Sequence, residues 1–362
     1  VTVKFSPNEA KLTELTLGVV GVNTSFKGNV YLDNIVFSQY DASADFVEIT
    51  STPGADASKA DTSKMPTEVK LADADAGAST KALYAYLQGL DNADQVLFGH
   101  QNDTYKNVIA SKDVYSDVKD VTGSISGVVG MDSLDLTGVQ IGLEDVDAAI
   151  KQSVEYAKAA AAEGAIITLS THMPNMSNAK IVATPDGTRP YDFSACDFSE
   201  SKDLSNNCSQ EVLPGGKYNA QFTAYLDIIA DYAKGLGDIP VLFRPFHENN
   251  GGWFWWGSAT TDKETYKALY RYTVDYLTEA GVHNFIYIYS PNGPISSEDK
   301  YLERYPGDDY VDILAFDYYD DYNSYPATYS DAFFTNLEST CNVVNKLASE
   351  KGKIASIAET GV

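Results

Sequence analysis

The stretch Ala165–Ser170 reads AIITLS, and the stretch Asn284–Ser290 reads NFIYIYS. Both are apolar along nearly their whole length and rich in β-branched and aromatic residues, which is typical of strands buried on both faces. Five further runs of this type occur along the chain: Gln95–Gly99 (QVLFG), Gly127–Met131 (GVVGM), Val241–Arg244 (VLFR), Val311–Phe316 (VDILAF) and Lys353–Ala358 (KIASIA). The sequence therefore predicts seven buried strands.

The segments between these runs have the periodicity of amphipathic helices. Apolar residues recur three or four positions apart in two clear cases: Leu143, Val146, Ile150, Val154, Ala157 and Ala161, and then Tyr266, Leu269, Tyr270, Thr273, Val274 and Leu277. Strands that alternate with helices form a parallel sheet covered by helices. This pattern matches a (β/α)8 TIM barrel of roughly 250 residues better than an open sheet. The predicted fold class is α/β, with the barrel over residues 81–362.

The first part of the chain has a different character. Residues 1–45 contain short β-type runs (VTVKF, LTELTLGVVGV and NVYLDNIVF) separated by Asn, Pro and Gly, which predicts three or four strands, the end of a β-sandwich. Residues 46–80 are rich in Ala, Asp, Ser, Thr and Lys, which is linker composition. Domain boundaries are therefore expected near residues 45 and 80.

Charge and composition narrow the function classes. The 362 residues carry 26 basic and 51 acidic side chains, a net charge of −25, which disfavours nucleic acid and anionic membrane surfaces as partners. The apolar runs are far shorter than the ~20 residues of a membrane-spanning helix. Tyr outnumbers Phe by 25 to 15, which suits a wet, sugar-holding cleft but equally a large core. The pairing of Cys196 with Cys208 in a surface disulfide stays open.

Polar residues follow the predicted strands, where a parallel barrel builds its active site. They are His100, Gln101, Asp132, His172, Asn175, Arg244, His247, Glu248, Ser290, Asn292, Asp317, Tyr318, Tyr319 and Glu359. Any one of them could simply cap a helix or bond to a loop. A metal site is disfavoured because the chain has no helical HExxH motif and no close pair of ligands. No cofactor is predicted.

Two carboxylates stand out in this set. Glu248 and Glu359 end the fourth and seventh predicted strands, which face each other across the mouth of a closed barrel. Two glutamates about 5–5.5 Å apart are what a retaining glycosidase needs, one as acid and base and the other as nucleophile. Arg244 is a candidate for the group that keeps the nucleophile ionised. The sequence therefore predicts cleavage of a sugar polymer with retention.

An aromatic run lies just beyond Glu248. The residues Trp253, Phe254, Trp255 and Trp256 include all three tryptophans of the chain. They could form a packed plug over the barrel, but flat rings beside a sugar-cleaving carboxylate favour a stacking floor for pyranose faces. We expect the four rings to form this stacking floor.

The segment RPFHENNGGWFWWG (Arg244–Gly257) resembles the acid/base segment of glycoside hydrolase family 26, whose members include endo-β-1,4-mannanases. The segments FGHQ, THMPN, FDYY and AETG resemble its other segments in the same order, and the resemblance extends from about Leu83 to Val362. It implies Glu248 as acid/base and Glu359 as nucleophile. It also implies that His247 positions the substrate or nucleophile, Trp253 stacks on sugar, Tyr319 forms a hydrogen bond near the nucleophile and His172 lines the glycone side. From their places after the strands, His100 and Arg244 are further predicted substrate-binding residues. Thr171 departs from the family, which commonly has Trp there, and YLDNIVF resembles the last strand of a carbohydrate-binding module.

The predicted function is therefore a retaining endo-β-1,4-mannanase acting on β-mannan or galactomannan. A β-1,3-xylanase, a mixed-linkage β-glucanase and a catalytically inactive carbohydrate-binding barrel remain alternatives. We expect a secreted or cell-surface monomer whose partner is the polysaccharide. Because only three residues follow Glu359, the barrel is expected to end after its seventh strand, and the full reading frame to add a further β/α unit. These 362 residues alone are then expected to be poorly stable and nearly inactive.

Overall fold

The computed structural model describes residues 65–91, 96–106, 116–182, 189–320 and 331–361. The predicted sandwich segment and linker residues 46–64 lie outside the described residues. Seven strands form one parallel sheet in which each strand pairs with the next along the chain. They are β1 (Gly99–Gln101), β2 (Val128–Asp132), β3 (Ile166–Ser170), β4 (Val241–Arg244), β5 (Phe285–Tyr289), β6 (Ile313–Tyr319) and β7 (Ile354–Gly361). The seven predicted strands are confirmed, with bounds shifted by up to a few residues.

The sheet is curled. Arg244 at the end of β4 bonds to Glu359 on β7, although two strands lie between them. In a flat sheet, strands spaced ~4.8 Å apart would put these residues about 14 Å from each other. The seven strands therefore curve into a barrel wall, in agreement with the predicted α/β barrel.

Helices flank this wall, and the long helices that follow the first strand pack on its outer face. They are α1 (Ala78–Asp91), α2 (Asp117–Thr122), α3 (Ser133–Leu136), α4 (Val146–Ala162), α5 (Phe198–Ser201), α6 (Cys208–Glu211), α7 (Asn219–Leu236), α8 (Lys263–Glu279), α9 (Glu298–Leu302) and α10 (Asp331–Lys351). All six apolar positions predicted for the second amphipathic helix are buried on α8. Asp145 and Asp262 cap α4 and α8 by accepting backbone N–H groups, which explains where both helices begin. Within the described ranges, no helix has the length and apolarity needed to cross a membrane.

Two apolar clusters occupy the two faces of the sheet. The outer cluster joins strand residues such as Val129, Leu169 and Phe243 to the helices. The inner cluster joins Leu242, Ile286, Ile288, Ile313, Ala315 and Ile354, which alternate along their strands with the outer set. This alternation determines which side chains reach the interior of the barrel.

The end of the predicted linker differs from the sequence prediction. Leu71 is 6% exposed, and it packs with Tyr84 of α1 against the inner cluster. The Ala72 N–H donates to the Asp312 carboxylate over 2.6 Å. Residues 65–80 therefore belong with the barrel, because a few apolar side chains in a polar-looking stretch are enough to anchor it.

The three cysteines are not joined in a disulfide. Cys196, Cys208 and Cys341 are free thiols, and the first two are buried. Burial raises the pKa of Cys196 and of Cys208 to about 12. Neither thiol forms the surface disulfide that their spacing allowed.

Candidate active site

Glu248 lies in the tight turn that follows β4. Phe246 and Glu248 both have a φ of 52°, a left-handed conformation that non-glycine residues rarely adopt. The turn is held in place because the Glu248 N–H donates to the Ser290 carbonyl over 2.7 Å. Backbone strain of this kind persists where the surrounding structure imposes it, and it concentrates at functional sites.

The Glu248 carboxyl is half-buried beside an indole. Trp253 Nε1 donates to Glu248 Oε2 over 2.7 Å. Burial raises the pKa of Glu248, the nearby charge of Glu359 raises it further, and the Trp253 bond only partly opposes this. The environment therefore favours a protonated Glu248, which can donate a proton.

Glu359 reaches the interior through an irregularity in β7. Ile354 and Ala358 both pack on the inner cluster, so in a regular strand the next residue, Glu359, would point outward. Phe316 pairs with Ile357 while Asp317 pairs with Glu359, which leaves Ala358 as the extra residue of a β-bulge. The bulge turns Glu359 inward.

Glu359 is surrounded by hydrogen-bond donors. Arg244 Nη2 donates to Glu359 Oε1, and the Tyr319 hydroxyl donates to Oε2 over 2.9 Å. Burial alone would raise the pKa of Glu359, but the Arg244 charge and both hydrogen bonds hold it below its usual value. The environment therefore favours an ionised Glu359, which can act as a nucleophile.

Arg244 is shared between two carboxylates. Its Nη1 donates to Asp317 Oδ1 over 3.0 Å, and Asp317 also accepts a 2.7 Å bond from the Ser290 hydroxyl. The Arg244 side chain is 5% exposed. One buried guanidinium thus links the ends of β4, β6 and β7.

Two histidines lie beside this cluster. His247 Nε2 is 3.1 Å from His172 Nε2 and 4.0 Å from Glu359 Oε1. Burial, the Arg244 charge and His172 lower the pKa of His247 well below its usual value. His247 is therefore a neutral imidazole next to the ionised carboxylate.

The aromatic run corrects the sequence prediction. Trp253 is 39% exposed, but Phe254, Trp255 and Trp256 are buried. The Trp256 indole donates to the His247 carbonyl over 2.7 Å, and its ring stacks on Phe254 at 4.5 Å between centroids. Three of the four rings form the plug, because the loop folds back over the barrel and buries them. Only Trp253 is left for a stacking surface.

Among the residues with a predicted catalytic or substrate-binding role, His100 is the one that the structure does not bring to the glutamates. The strand bounds of β1 differ from the prediction, so that His100 lies within the strand and pairs with Val129, a residue of the outer cluster. Gln101 takes the inward position, with its side chain against Gly130. His100 was predicted to follow the strand; because it lies within the strand and side chains alternate, it points to the face opposite Gln101.

Two residues near the site were not assigned any role from the sequence. Asp132 Oδ2 lies 2.7 Å from His172 Nδ1. Phe198 is 40% exposed, and its ring centroid is 4.8 Å from that of His172. Phe198 is the first residue of the short helix α5, in the long segment between β3 and β4, and nothing in its local pattern marked it. In the part of the chain that the structure describes, no group of His, Cys, Asp and Glu side chains is arranged to hold a metal ion.

Several known proteins are similar to this chain. Over 86% of its length it is 36% identical to a mannan endo-1,4-beta-mannosidase of Bifidobacterium adolescentis, and over 67% it is 28% identical to one of Thermothelomyces thermophilus. The chain spans 30% and 45% of the lengths of these two relatives.

Solved structures agree with the sequence relatives. The catalytic domain of the family 26 endo-beta-1,4-mannanase of Bacillus sp. JAMB-750 superimposes with a TM-score of 0.72 at 36% identity, over 83% of this chain and 75% of that one. A modular endo-beta-1,4-mannanase of Cellulomonas fimi gives 0.71 at 37% identity, over 82% and 62%. The family model for glycosyl hydrolase family 26 matches residues 72–360. This protein therefore belongs to glycosyl hydrolase family 26.

Proposed function

We propose that this protein is a retaining endo-β-1,4-mannanase that hydrolyses β-mannan or galactomannan. The observation that carries the proposal is the contrast between Glu248 and Glu359, which lie close together with pKa values displaced in opposite directions. A proton donor beside an ionised carboxylate is the arrangement that retaining glycosidases use. The names of the relatives support mannan as the substrate.

In the first step, the Glu248 carboxyl gives its proton to the glycosidic oxygen. The Glu359 carboxylate attacks the anomeric carbon from the opposite side, the bond to the leaving sugar breaks, and a glycosyl ester forms on Glu359. Arg244 and Tyr319 hold the attacking carboxylate in place through the bonds described above.

In the second step, Glu248 acts as a base. Its carboxylate takes a proton from water, the water oxygen attacks the anomeric carbon, and the ester bond to Glu359 breaks. Two inversions at one carbon give net retention. Glu248 ends protonated and Glu359 ends ionised, which are the states that their surroundings favour.

Substrate contacts are proposed for the residues around the pair. The exposed ring of Trp253 offers a stacking face beside Glu248. His172, whose side chain is 19% exposed, lies next to His247. Because a polysaccharide cannot enter a cell, we propose that the protein acts outside the cell. We also propose that it acts as a monomer.

The direct test measures reducing-sugar release from mannan, galactomannan, β-1,3-xylan and lichenan, with the anomeric form of the first product followed by NMR. We expect activity on the two mannans and an initial β-anomer. Activity confined to xylan or lichenan would favour one of the alternative family activities. No hydrolysis of any substrate would favour a carbohydrate-binding barrel, and an initial α-anomer would contradict the two-step mechanism.

A further inference from the structure

Asp132, the last residue of β2, forms hydrogen bonds with both of its carboxylate oxygens. Oδ1 accepts the Leu134 N–H over 3.0 Å, which caps α3. Oδ2 accepts the Ser170 hydroxyl over 2.8 Å and lies 2.7 Å from His172 Nδ1. The residue is 4% exposed. A buried carboxylate that bonds to an imidazole can determine which nitrogen of the ring carries the proton.

These contacts determine where the imidazole protons lie. An ionised carboxylate only accepts hydrogen bonds, so the proton between Asp132 and His172 is on Nδ1 of His172. In a neutral ring protonated on Nδ1, His172 Nε2 has a free lone pair. Since it faces His247 Nε2 at 3.1 Å, the proton of that contact belongs to His247 Nε2.

The surroundings of His247 support the same assignment independently. Among the described residues, His247 Nδ1 is a buried atom with no hydrogen-bond partner. With the proton on Nε2, the Nδ1 atom carries only a lone pair. With the proton on Nδ1, it would be a buried N–H without an acceptor, which is the costlier arrangement.

We propose that Asp132 is a positioning residue for hydrolysis, acting through His172 and His247 on the surroundings of Glu359. Its carboxylate holds His172 as the Nδ1–H tautomer, and His172 in turn holds His247 as the Nε2–H tautomer, 4.0 Å from the Glu359 oxygen. The proposal rests on the proposed function. It assigns a role to a residue that touches neither the substrate nor the nucleophile.

The substitution Asp132→Asn separates this role from helix capping. Asn is as good an N-cap as Asp, so the bond to the Leu134 N–H is retained. With its oxygen kept on the Leu134 N–H, the amide turns its NH2 group toward His172 Nδ1, so it favours the opposite, Nε2–H tautomer of His172. A matched control is Asp135→Asn, at the other half of the same capping box, where Asp135 pairs with Lys106 rather than with a histidine.

The spectroscopic test uses NMR of protein labelled with ¹⁵N in its histidines, with His100→Gln and His283→Gln variants to assign the signals. We expect His172 protonated on Nδ1 and His247 on Nε2 in the wild type. Both signals should shift in Asp132→Asn and stay unchanged in Asp135→Asn. A wild-type His172 protonated on Nε2, or unchanged signals in Asp132→Asn, would overturn the proposal.

The kinetic test uses the same variants on mannan. We expect kcat/KM to fall roughly 10- to 100-fold in Asp132→Asn, as when the partner that orients a functional histidine is lost, and to stay within about twofold in Asp135→Asn. A folded Asp132→Asn within twofold of the wild type overturns the proposal. If that variant does not fold, Asp132→Ser, which also caps a helix, replaces it, and the wild-type spectrum decides in any case.

The two proposals can fail separately. A wild-type protein that hydrolyses none of the four polysaccharides contradicts the proposed function. The imidazole signals do not depend on turnover, so they still show whether Asp132 holds the two rings.

Discussion

The ends of β4 and β7 carry the same residue, yet they control it by different physical means. At the end of β4, Glu248 lies in a strained turn over a packed aromatic loop, and burial is the largest influence on its pKa. At the end of β7, the charge of Arg244 and the hydrogen bonds from Arg244 and Tyr319 together outweigh the effect of burial on the pKa of Glu359. Burial dominates the pKa of Glu248, and the charge of Arg244 lowers the pKa of Glu359. Two residues of the same type can therefore take different chemical roles because their surroundings differ.

The strongest test of this difference removes each carboxylate. In both Glu359→Ala and Glu248→Ala we expect turnover to fall on the order of 10³-fold or more, because one of the two chemical steps loses its reacting group. With an aryl glycoside and added azide, Glu359→Ala should give a glycosyl azide of inverted configuration and Glu248→Ala one of retained configuration. Product NMR reads the outcome. The opposite stereochemistry, or a loss of only tenfold, would show that the roles are wrongly assigned.

The next test removes the charge that acts on Glu359. In Arg244→Gln the pKa of Glu359 should rise by about 1–3 units, as expected when a carboxylate loses an adjacent arginine. Activity requires ionised Glu359, so the acidic limb of the kcat/KM profile should move to higher pH. Arg189→Gln is the control, because Arg189 also bonds two carboxylates, Asp147 and Asp231, but on the helix layer. An acidic limb that does not move in Arg244→Gln would contradict control by charge.

A third test addresses the packing that supports Glu248. Trp256 is fully buried, so Trp256→Ala should lower the free energy of unfolding by about 3–5 kcal/mol. Trp253 is 39% exposed, so Trp253→Ala should stay within about 1–2 kcal/mol while weakening turnover of oligosaccharides. Urea denaturation followed by circular dichroism measures both. Equal losses of stability would mean that Trp253 belongs to the plug as well.

The smallest expected effect concerns the indole N–H beside Glu248. Trp253→Phe keeps a ring but removes the bond that favours ionised Glu248, so the pKa of Glu248 should rise, by up to about one unit. Activity requires protonated Glu248, so the alkaline limb should move to higher pH while the acidic limb stays in place. Tyr318→Phe, which removes a hydroxyl paired with Asn336, is the control. A shift of the acidic limb instead would mean that Trp253 acts on Glu359.

Much of the fold could be predicted because its signals are local. Seven apolar runs predicted seven strands, and the helical periodicity around Tyr266 and Leu277 predicted α8. Parallel strands end at one rim of a barrel, so the residues after each run, including Glu248 and Glu359, could be predicted to lie near one another. Arg244, His172, His247, Trp253 and Tyr319 do lie around that pair.

The remaining features depend on contacts between distant segments. His100 was predicted to follow the first strand, but it lies within β1 and points away from the barrel interior, because the strand ends later than its apolar run indicates. The burial of Trp255 and Trp256 depends on how their loop folds back, and the sequence alone had favoured a sugar platform over the plug that they form. Leu71 lies in a stretch of linker composition, and only the folded barrel provides the apolar surface that buries it.

The sequence by itself therefore determined the strands, their order and the two carboxylates, because periodicity and residue type are properties of short segments. Only the tertiary structure decided how those carboxylates differ. The bulge at Ala358, the guanidinium between Asp317 and Glu359, and the contact between Asp132 and His172 each depend on residues from separate segments of the chain. The physical reason is that a pKa and a tautomer depend on the charges and hydrogen-bond partners that folding brings within a few ångströms, and spacing along the chain does not encode those distances.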